Sequence, residues 1–272
     1  MVRHPFGNIN PEVDKGIWPS YPHKARHIGG YILNRFWYLL LCLGAISRQN
    51  YRTVDTLKHA LFITVAVYIG LGVLLYLGQS AFIYFPTPEV KLRGLQVMQL
   101  SSDGVRVNVH LVNPGKSQAL IYFGGNAEAV AFNAPEFSRF FPDHTVYLMN
   151  FRGYGGSEGK PREPVLYQDA LSLYDEVNTD HEHISAMGRS LGSGIATYLA
   201  AERELARLVL ITPFDSLVNV AFSHYPIYPV SIMLREQYDS LSRVPYISEE
   251  TLILVAEQDR IIKPAHAHEL AR

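Results

Sequence analysis

Cysteine is nearly absent from the 272-residue chain, which contains one, Cys42. A single cysteine cannot form an intramolecular disulfide, and it cannot build a cysteine-rich zinc site. The sequence also lacks a cluster of residues with metal-ligand spacing and the motif Gly-x-x-x-x-Gly-Lys that cradles phosphates. We therefore expect neither a metal nor a cofactor.

An excess of charge of one sign is also absent. The chain has 24 Lys and Arg residues against 25 Asp and Glu residues, for a formal net charge of -1. Proteins that bind nucleic acid through its phosphates carry a surplus of positive charge. We therefore do not expect a nucleic-acid partner.

Charged residues are missing altogether from residues 60–88, which are mostly aliphatic and aromatic. About 20 such residues in a helix cross the hydrocarbon core of a bilayer. Tyr76, Phe82 and Phe85 near the end of the run suit the interface with water. The sequence predicts a transmembrane helix over residues 59–85, with the lipid bilayer as a partner. The alternative, a buried core helix, is less favoured because such helices seldom stay uncharged for so long.

Positive charges are nearly balanced on the two sides of this span. Arg48, Arg52 and Lys58 precede it, and Lys91 and Arg93 follow it. Cytoplasmic segments carry the excess of Lys and Arg. The small difference favours a single-pass protein with a cytoplasmic N-terminus and its larger C-terminal part outside the cytoplasm.

Residues 1–58 are predicted to form an N-terminal arm. Proline, glycine, histidine and tyrosine in its first half indicate irregular structure. The stretch 31–46 is apolar enough for a helix lying in the membrane interface. A second span is less favoured there, because the uncharged part of the stretch is only about 12 residues long, short of the roughly 20 that a crossing needs.

Residues 90–272 alternate between strand and helix patterns. Two runs alternate with period two around the turn "SSDG", which indicates an antiparallel hairpin. The later apolar runs are continuous, as strands of a parallel sheet covered on both faces require. The predicted strands are 95–100, 105–112, 119–123, 146–149, 184–187, 208–211 and 252–255, with helices near 128–140, 165–178 and 191–204. This order predicts a three-layer, doubly wound α/β domain whose ligands gather at the carboxyl ends of the strands.

The stretch "GRSLGSG" follows the predicted strand 184–187 and opens a predicted helix. Gly188 and Gly192 permit a sharp turn that exposes the Ser190 hydroxyl above the sheet. The strand, turn and helix order is the one that a nucleophilic serine requires, so Ser190 is the candidate nucleophile.

The glycines that end the strand 119–123 are candidates for an oxyanion hole. The backbone N–H groups of the loop Gly124, Gly125 and Asn126 can approach the pocket that the Leu191 N–H faces. The alternative is a strand-to-helix turn that needs glycine for its backbone alone.

An acid and a base are expected after the nucleophile in the chain. Asp259 follows the strand 252–255 and is the favoured acid, whereas Asp215 follows the preceding strand and is the competitor. The histidines after Asp259 are His266 and His268, on the apparent helix "PAHAHELAR". They are the possible bases, but their pattern is more typical of surface positions on a helix.

The blocks "YFGGNAE", "NFRGYGGSEGKP", "GRSLGSG", "TPFDSL" and "YPIYPVSIMLREQYDSLSRVP" occur in order. Together they resemble the α/β-hydrolase superfamily, in its serine aminopeptidase-like or Bem46-like group, over residues 82–272. Many members of that group carry one N-terminal membrane helix. The resemblance implies Ser190 as nucleophile, Asp259 as acid, and the backbone of Asn126 and Leu191 as the oxyanion hole.

Two departures from the family pattern accompany the resemblance. Much of the group begins its oxyanion motif with His-Gly-Asn, where this chain has Gly124, Gly125 and Asn126. Because the donors are backbone groups, the change need not abolish the hole. The family histidine follows a final strand in a Gly-x-x-His-like segment, and this chain ends before one. The resemblance thus predicts a chain truncated at its C-terminus, without the last strand and helix of the fold.

The segment 213–246 is rich in aromatic residues and proline and is expected to form a cap over an apolar substrate; packing against its own sheet is the alternative.

The sequence predicts a serine hydrolase that acts on an ester, thioester or amide bond of a small acyl substrate through an acyl-enzyme intermediate. The alternative is a catalytically impaired fragment or pseudoenzyme that acts as a membrane-tethered binding module.

Overall fold

The computed structural model of the protein describes the backbone of residues 29–272 and the side chains of 38, 39 and 53–272. The chain divides into two compact units, residues 1–67 and 68–272. Helix α1, Gly29–Ile83, begins in the first unit and ends in the second.

The first unit consists, in its described part, of the beginning of α1. Leu61, Phe62 and Ile63 expose most of their surface there. Residues Thr53–Ile83 form a candidate membrane span with a mean hydropathy of 2.4, and 6% of its most apolar window is buried. Because a core helix of a soluble domain would be mostly buried, the exposure fits the predicted span better than the alternative.

Helix α1 is longer than the predicted span. Residues 29–58, assigned to an irregular arm with an interfacial helix over 31–46, belong to the same continuous helix. The sequence offers a reason, since no proline occurs between Pro22 and Pro86 to interrupt the hydrogen bonds of a helix. Residues 1–28 of the predicted arm lie outside the described residues.

The second unit contains a seven-stranded sheet in the order β1-β2-β4-β3-β5-β6-β7. The pairs β1–β2 and β2–β4 are antiparallel, which confirms the predicted hairpin, and the other pairs are parallel. The strands are β1 Gln96–Ser102, β2 Val105–Val112, β3 Gln118–Phe123, β4 His144–Met149, β5 His183–Arg189, β6 Leu208–Ile211 and β7 Thr251–Leu254.

Helices cover both faces of this sheet. They are α2 Ala134–Phe140, α3 Glu163–Val177, α4 Leu191–Glu202, α5 Leu217–His224, α6 Val230–Met233 and α7 Pro264–Leu270, with 3₁₀ helices Val130–Asn133 and Leu241–Tyr246. Strand β3 shows the two layers: Ile121 packs in the core that contains residues of α3 and α4, and Leu120 packs in the core that contains α2. The predicted three-layer α/β fold is confirmed.

A buried ion pair fixes the chain after β4. Arg152 donates to Asp169 of α3 through Nε at 2.8 and 2.9 Å and through Nη2 at 2.7 Å. Asp169 has no exposed surface, and its hydrogen bonds raise the pKa of Arg152.

Because parallel strands end at the same edge, the loops after β3, β5, β6 and β7 meet at one edge of the sheet.

Candidate active site

Ser190 stands in the turn between β5 and α4, at the carboxyl end of a central strand. Its backbone has φ 51° and ψ -117°, a conformation rare for a residue with a side chain. Such a conformation costs roughly 1–3 kcal/mol and persists only where neighbours hold it. Here the Ser190 N–H donates to the carbonyl of Ile211 at 2.9 Å, and its carbonyl accepts from the N–H and Oγ of Ser193 at 2.9 and 2.6 Å. The turn thereby holds Ser190 in the lining of a cavity.

Glycine is required on both sides of Ser190 by close approaches. A Cβ atom at Gly192 would overlap the carbonyl oxygen of Phe123, and one at Gly188 would overlap the carbonyl of Gly192. The start of α4 therefore packs directly against the end of β3. A Cβ at Gly125 would lie 3.8 Å from the Cβ of Ser190, so the loop after β3 lies beside the serine, as the sequence predicted.

Glu128 fixes the shape of that loop. Its carboxylate accepts hydrogen bonds from the Gly125 N–H at 2.6 Å, the Tyr122 hydroxyl at 2.8 Å and the Asn133 side chain at 2.5 Å. Burial and then the charge of Glu128 raise the pKa of Tyr122 above its usual range, so the phenol stays a donor. Sequence reasoning missed this role, although an acidic residue three positions after a glycine turn was a signal for it.

Two backbone N–H groups remain free beside Ser190. Glu128 occupies the N–H of Gly125, whereas the N–H groups of Asn126 and Leu191 donate to no acceptor among residues 29–272. These are the two groups predicted as oxyanion donors. Both residues line the same cavity as Ser190.

The side chain of Asn126 has a separate task, because it joins this loop to the end of α1. Its Oδ1 accepts from the Phe85 N–H at 3.0 Å and from the Tyr154 hydroxyl at 2.9 Å, and its Nδ2 donates to the Ile83 carbonyl at 2.6 Å. Burial raises the pKa of Tyr154 to about 12, which keeps it protonated as the donor. The candidate oxyanion loop and the last turn of α1 are therefore one hydrogen-bonded assembly.

A cavity of about 690 Å³ lies over Ser190. Its walls come from the last turns of α1, from α5 and α6 in the segment predicted as a cap, and from the loop before α7. The lining is mainly aliphatic and aromatic, as in Phe82, Phe214, Val220, Tyr228, Met233 and Ile262. The size and the apolar walls are typical of a small-molecule site.

Asp259, the predicted acid, lies in the turn after β7. Its Oδ1 accepts from the N–H groups of Ile261 and Ile262 at 2.8 and 3.0 Å, and both isoleucines line the cavity. The carboxylate thus shapes the cavity wall. It forms no hydrogen bond with a histidine in the described part of the chain.

Of the two histidines on α7, His266 is placed differently from the surface position that was expected. His266 is not a free surface residue of α7: its Nδ1 lies 2.9 Å from Oδ1 of Asp215, which is 5% exposed. The structure therefore joins His266 to the competitor acid and not to Ser190, because α7 packs beside the loop after β6. His268 is exposed on the same helix.

His224 lies in the segment predicted as a cap and was not predicted as a base. It ends α5 and lines the cavity together with Ser190, with its Nε2 3.0 Å from the Ile261 carbonyl. No spacing in the sequence marked it. Among the side chains that the structure describes, no three from His, Cys, Asp or Glu converge as a metal site requires.

Known proteins resemble this chain over most of its length, although no family model matches it. An uncharacterised protein of Mycobacterium tuberculosis is 30% identical over 224 residues, covering 74% of this chain and 77% of that protein. Protein bem46 of Schizosaccharomyces pombe is 26% identical over 239 residues, which cover 77% of this chain and 79% of bem46. An uncharacterised membrane protein of Saccharomyces cerevisiae is 32% identical over 135 residues, covering 46% and 48%.

Solved structures share the fold. An esterase of Pyrococcus furiosus has a TM-score of 0.54 at 16% identity, covering 69% of this chain and 82% of its own. An α/β hydrolase of Vibrio vulnificus has a TM-score of 0.53 at 20% identity, covering 66% and 69%. The strand order, the serine turn after β5 and these relatives agree with one another, and the chain belongs to the α/β-hydrolase superfamily as a Bem46-like protein.

Proposed function

We propose that the protein is a membrane-anchored serine hydrolase that cleaves an ester, thioester or amide bond through an acyl-enzyme intermediate. One observation carries the proposal: the strained turn holds Ser190 in the lining of an apolar cavity beside the free N–H groups of Asn126 and Leu191. Strain of this kind is retained where it serves a function. Membership of a family of hydrolases supports the same chemistry.

The reaction follows from these groups. Ser190 Oγ attacks the substrate carbonyl carbon while its proton passes to a base, and the carbonyl electron pair moves to oxygen. The N–H groups of Asn126 and Leu191 donate to that oxyanion. When the carbonyl re-forms, the bond to the leaving group breaks and this group takes the proton from the base. Water then attacks the acyl-enzyme in the same way, releases the carboxylic acid and returns a proton to Ser190.

The oxyanion donors supply a large part of the rate. Removal of one donor in comparable sites costs about 3 kcal/mol, or roughly 10²–10³ in kcat. Here both donors are backbone groups held by hydrogen-bonded turns, so they need no reorganisation when charge develops. Asp259 is proposed as the acid that orients the base, from its place after β7.

A second candidate function rests on a different observation. The Ser190 hydroxyl forms no hydrogen bond with any histidine that the structure describes, and a serine without its base loses several orders of magnitude in rate. A non-catalytic, membrane-tethered binding module would retain the cavity of about 690 Å³ and would not turn over a substrate.

Hydrolysis of p-nitrophenyl acetate by the full chain separates the two functions. We expect turnover that falls by more than about 10³-fold in Ser190→Ala. Ser101→Ala, at an exposed position on β1, is the matched control and is expected to keep the full rate. Turnover that is equal in the wild type and in Ser190→Ala would reject the hydrolase and favour the binding module.

The candidate span Thr53–Ile83 supports a single-pass membrane location, and the small excess of Lys and Arg before the span favours residues 90–272 lying outside the cytoplasm. A yeast relative that is called a membrane protein agrees with the location. A C-terminal alkaline phosphatase fusion, which is active only outside the cytoplasm, is expected to be active. Activity from a fusion partner that folds only inside the cytoplasm would reverse the orientation.

A further inference from the structure

The end of the candidate membrane span forms one wall of the cavity over Ser190. Leu75, Tyr76, Phe82 and Ile83 belong to the span Thr53–Ile83 and line this cavity. A substrate in the cavity therefore contacts the same helix that crosses the bilayer.

This wall is held against the cap by specific hydrogen bonds. The Gln79 side chain donates to the Met233 carbonyl at 3.3 Å and accepts from the Arg235 N–H at 2.8 Å. Just beyond the span, the Tyr84 hydroxyl donates to the buried Glu236 at 2.9 Å. A buried amide within an apolar helix is costly unless it is paired, so these contacts indicate that α1 and the cap form one built cavity.

The length of the span sets the depth of this cavity in the membrane. The span has 31 residues, whereas about 20 residues cross the hydrocarbon core. The uncharged part of the span begins at Ala60, after Lys58, so about 20 residues counted from there end near Gln79. Leu75 and Tyr76 then lie within the hydrocarbon core, and Phe82 and Ile83 lie at the depth of the interface, where the ester bonds of membrane lipids lie.

A second apolar cavity of about 310 Å³ continues the first one along α1 toward the bilayer. Both cavities are lined by Tyr76, Tyr228 and Met233. The second reaches back to Tyr68, which is about 12 Å deeper along the helix than Tyr76. The two cavities are therefore neighbours along α1, with Ser190 in the lining of the first.

The cap carries exposed apolar side chains next to these cavities. Ile227 is 70% exposed and Ile232 is 83% exposed. Both flank Tyr228, whose ring stacks on Tyr68 of the span at 4.8 Å, and the Tyr68 hydroxyl donates to the Ile227 carbonyl at 2.7 Å. Burying such side chains removes apolar surface from water and is favourable. A bilayer around α1 would cover these residues.

From these observations we propose that the substrate is a long-chain acyl ester of a bilayer lipid, which enters the cavity of Ser190 from the membrane, along α1 and beneath the α5–α6 cap. The acyl chain occupies the two neighbouring cavities, and its ester carbonyl reaches the oxyanion donors. This inference rests on the proposed function and adds the class of substrate and its route.

The first test compares two esters with the full chain in phosphatidylcholine vesicles. One is p-nitrophenyl palmitate dissolved in the bilayer, and the other is p-nitrophenyl acetate in water. Val73→Trp adds bulk to the second cavity and is expected to lower the palmitate-to-acetate ratio of kcat/KM at least tenfold. Leu74→Trp, one position along and 62% exposed outside both cavities, is the matched control and should not change the ratio. A ratio that is the same in both variants and the wild type would overturn the proposal.

The second test does not depend on turnover. Vesicles contain phosphatidylcholine with a photoreactive diazirine at the end of its acyl chain, and mass spectrometry maps the adducts after illumination. We expect adducts on Val73, Tyr228 or Met233. Adducts confined to outward residues such as Leu74 and Leu77 would overturn the lipid route. Adducts in the cavities without turnover that depends on Ser190 would instead reject the hydrolase and leave lipid binding.

A third arm separates a lipid from a lipid-modified protein. Release of palmitic acid is compared between dipalmitoyl phosphatidylcholine vesicles and an S-palmitoylated peptide anchored in vesicles of dioleoyl phosphatidylcholine. Release from the phospholipid that requires Ser190 is expected. Release from the peptide alone would assign the cavity to a protein-linked chain and overturn the proposal.

Discussion

Replacing Glu128 by alanine should weaken the candidate oxyanion hole without touching Ser190. Glu128 holds the Gly125 N–H at 2.6 Å, the Tyr122 hydroxyl at 2.8 Å and the Asn133 side chain at 2.5 Å. Glu128→Ala removes the acceptor of the Gly125 N–H and leaves the turn that aims the N–H of Asn126 held mainly by the Asn126 side chain. One misplaced donor costs up to about 3 kcal/mol of transition-state stabilisation, so kcat should fall up to about 10²-fold to 10³-fold with KM little changed.

The same variant has a separable effect on stability. Each polar group left buried without a partner costs about 1–3 kcal/mol, so the melting temperature should also fall. Glu128→Gln retains an acceptor for Gly125 and is expected to recover part of kcat. Glu136→Ala, at an exposed position in the first turn of α2, serves as the matched control.

The assay measures kcat and KM on p-nitrophenyl acetate, below the melting temperature of every variant. A merely structural role would change the melting temperature alone. A folded Glu128→Ala protein with wild-type kcat would refute the reasoning that links this carboxylate to the donor at Asn126.

Two further predictions concern ion pairs away from Ser190. Asp169→Asn removes the buried negative charge opposite Arg152 and leaves this guanidinium with Ser102 and the exposed Asp103. It should reduce the free energy of unfolding by up to about 3–5 kcal/mol, measured by urea denaturation in detergent; a loss below about 1 kcal/mol, the range of exposed pairs, would contradict the buried pair. His266→Ala breaks the contact with Asp215 and should lower the melting temperature while the rate of fluorophosphonate labelling at Ser190 stays within about twofold, since a group outside the site contributes little to transition-state stabilisation. A labelling rate that collapses in a folded His266→Ala protein would make this histidine the base.

The sheet could be predicted from the sequence because its strands are continuous apolar runs. The predicted strands 105–112 and 208–211 match β2 and β6 at both ends, since turn residues and polar residues bound each run. A parallel sheet covered on both faces requires continuous apolar strands. A short apolar run between turn residues is therefore typical of such a strand.

The length of α1 could not be predicted in the same way. Residues 47–58 are polar, so hydropathy placed the start of the helix at residue 59. A helix does not need apolar residues to continue, however, and the lack of proline lets it begin at Gly29. The apolar run that indicates a membrane span and the proline-free run that permits a helix therefore begin at different residues.

The parts of the site that are contiguous in the sequence could be predicted, whereas contacts between residues distant in the chain could not. The turn around Ser190 is a contiguous motif, and Asn126 follows a glycine pair at a strand end. By contrast, the contact between His266 and Asp215 joins positions 51 residues apart. The wall that α1 gives to the cavity likewise depends on contacts such as the one between Gln79 and Met233, 154 residues apart. No periodicity in the sequence encodes such pairs.

Fluorophosphonate labelling followed by peptide mass spectrometry tests the central claim, that Ser190 is an activated nucleophile, most directly. We expect one covalent adduct per chain, on Ser190, that forms in phosphatidylcholine vesicles and is lost in Ser190→Ala. An unlabelled wild-type chain, or an adduct that persists in Ser190→Ala, would contradict it.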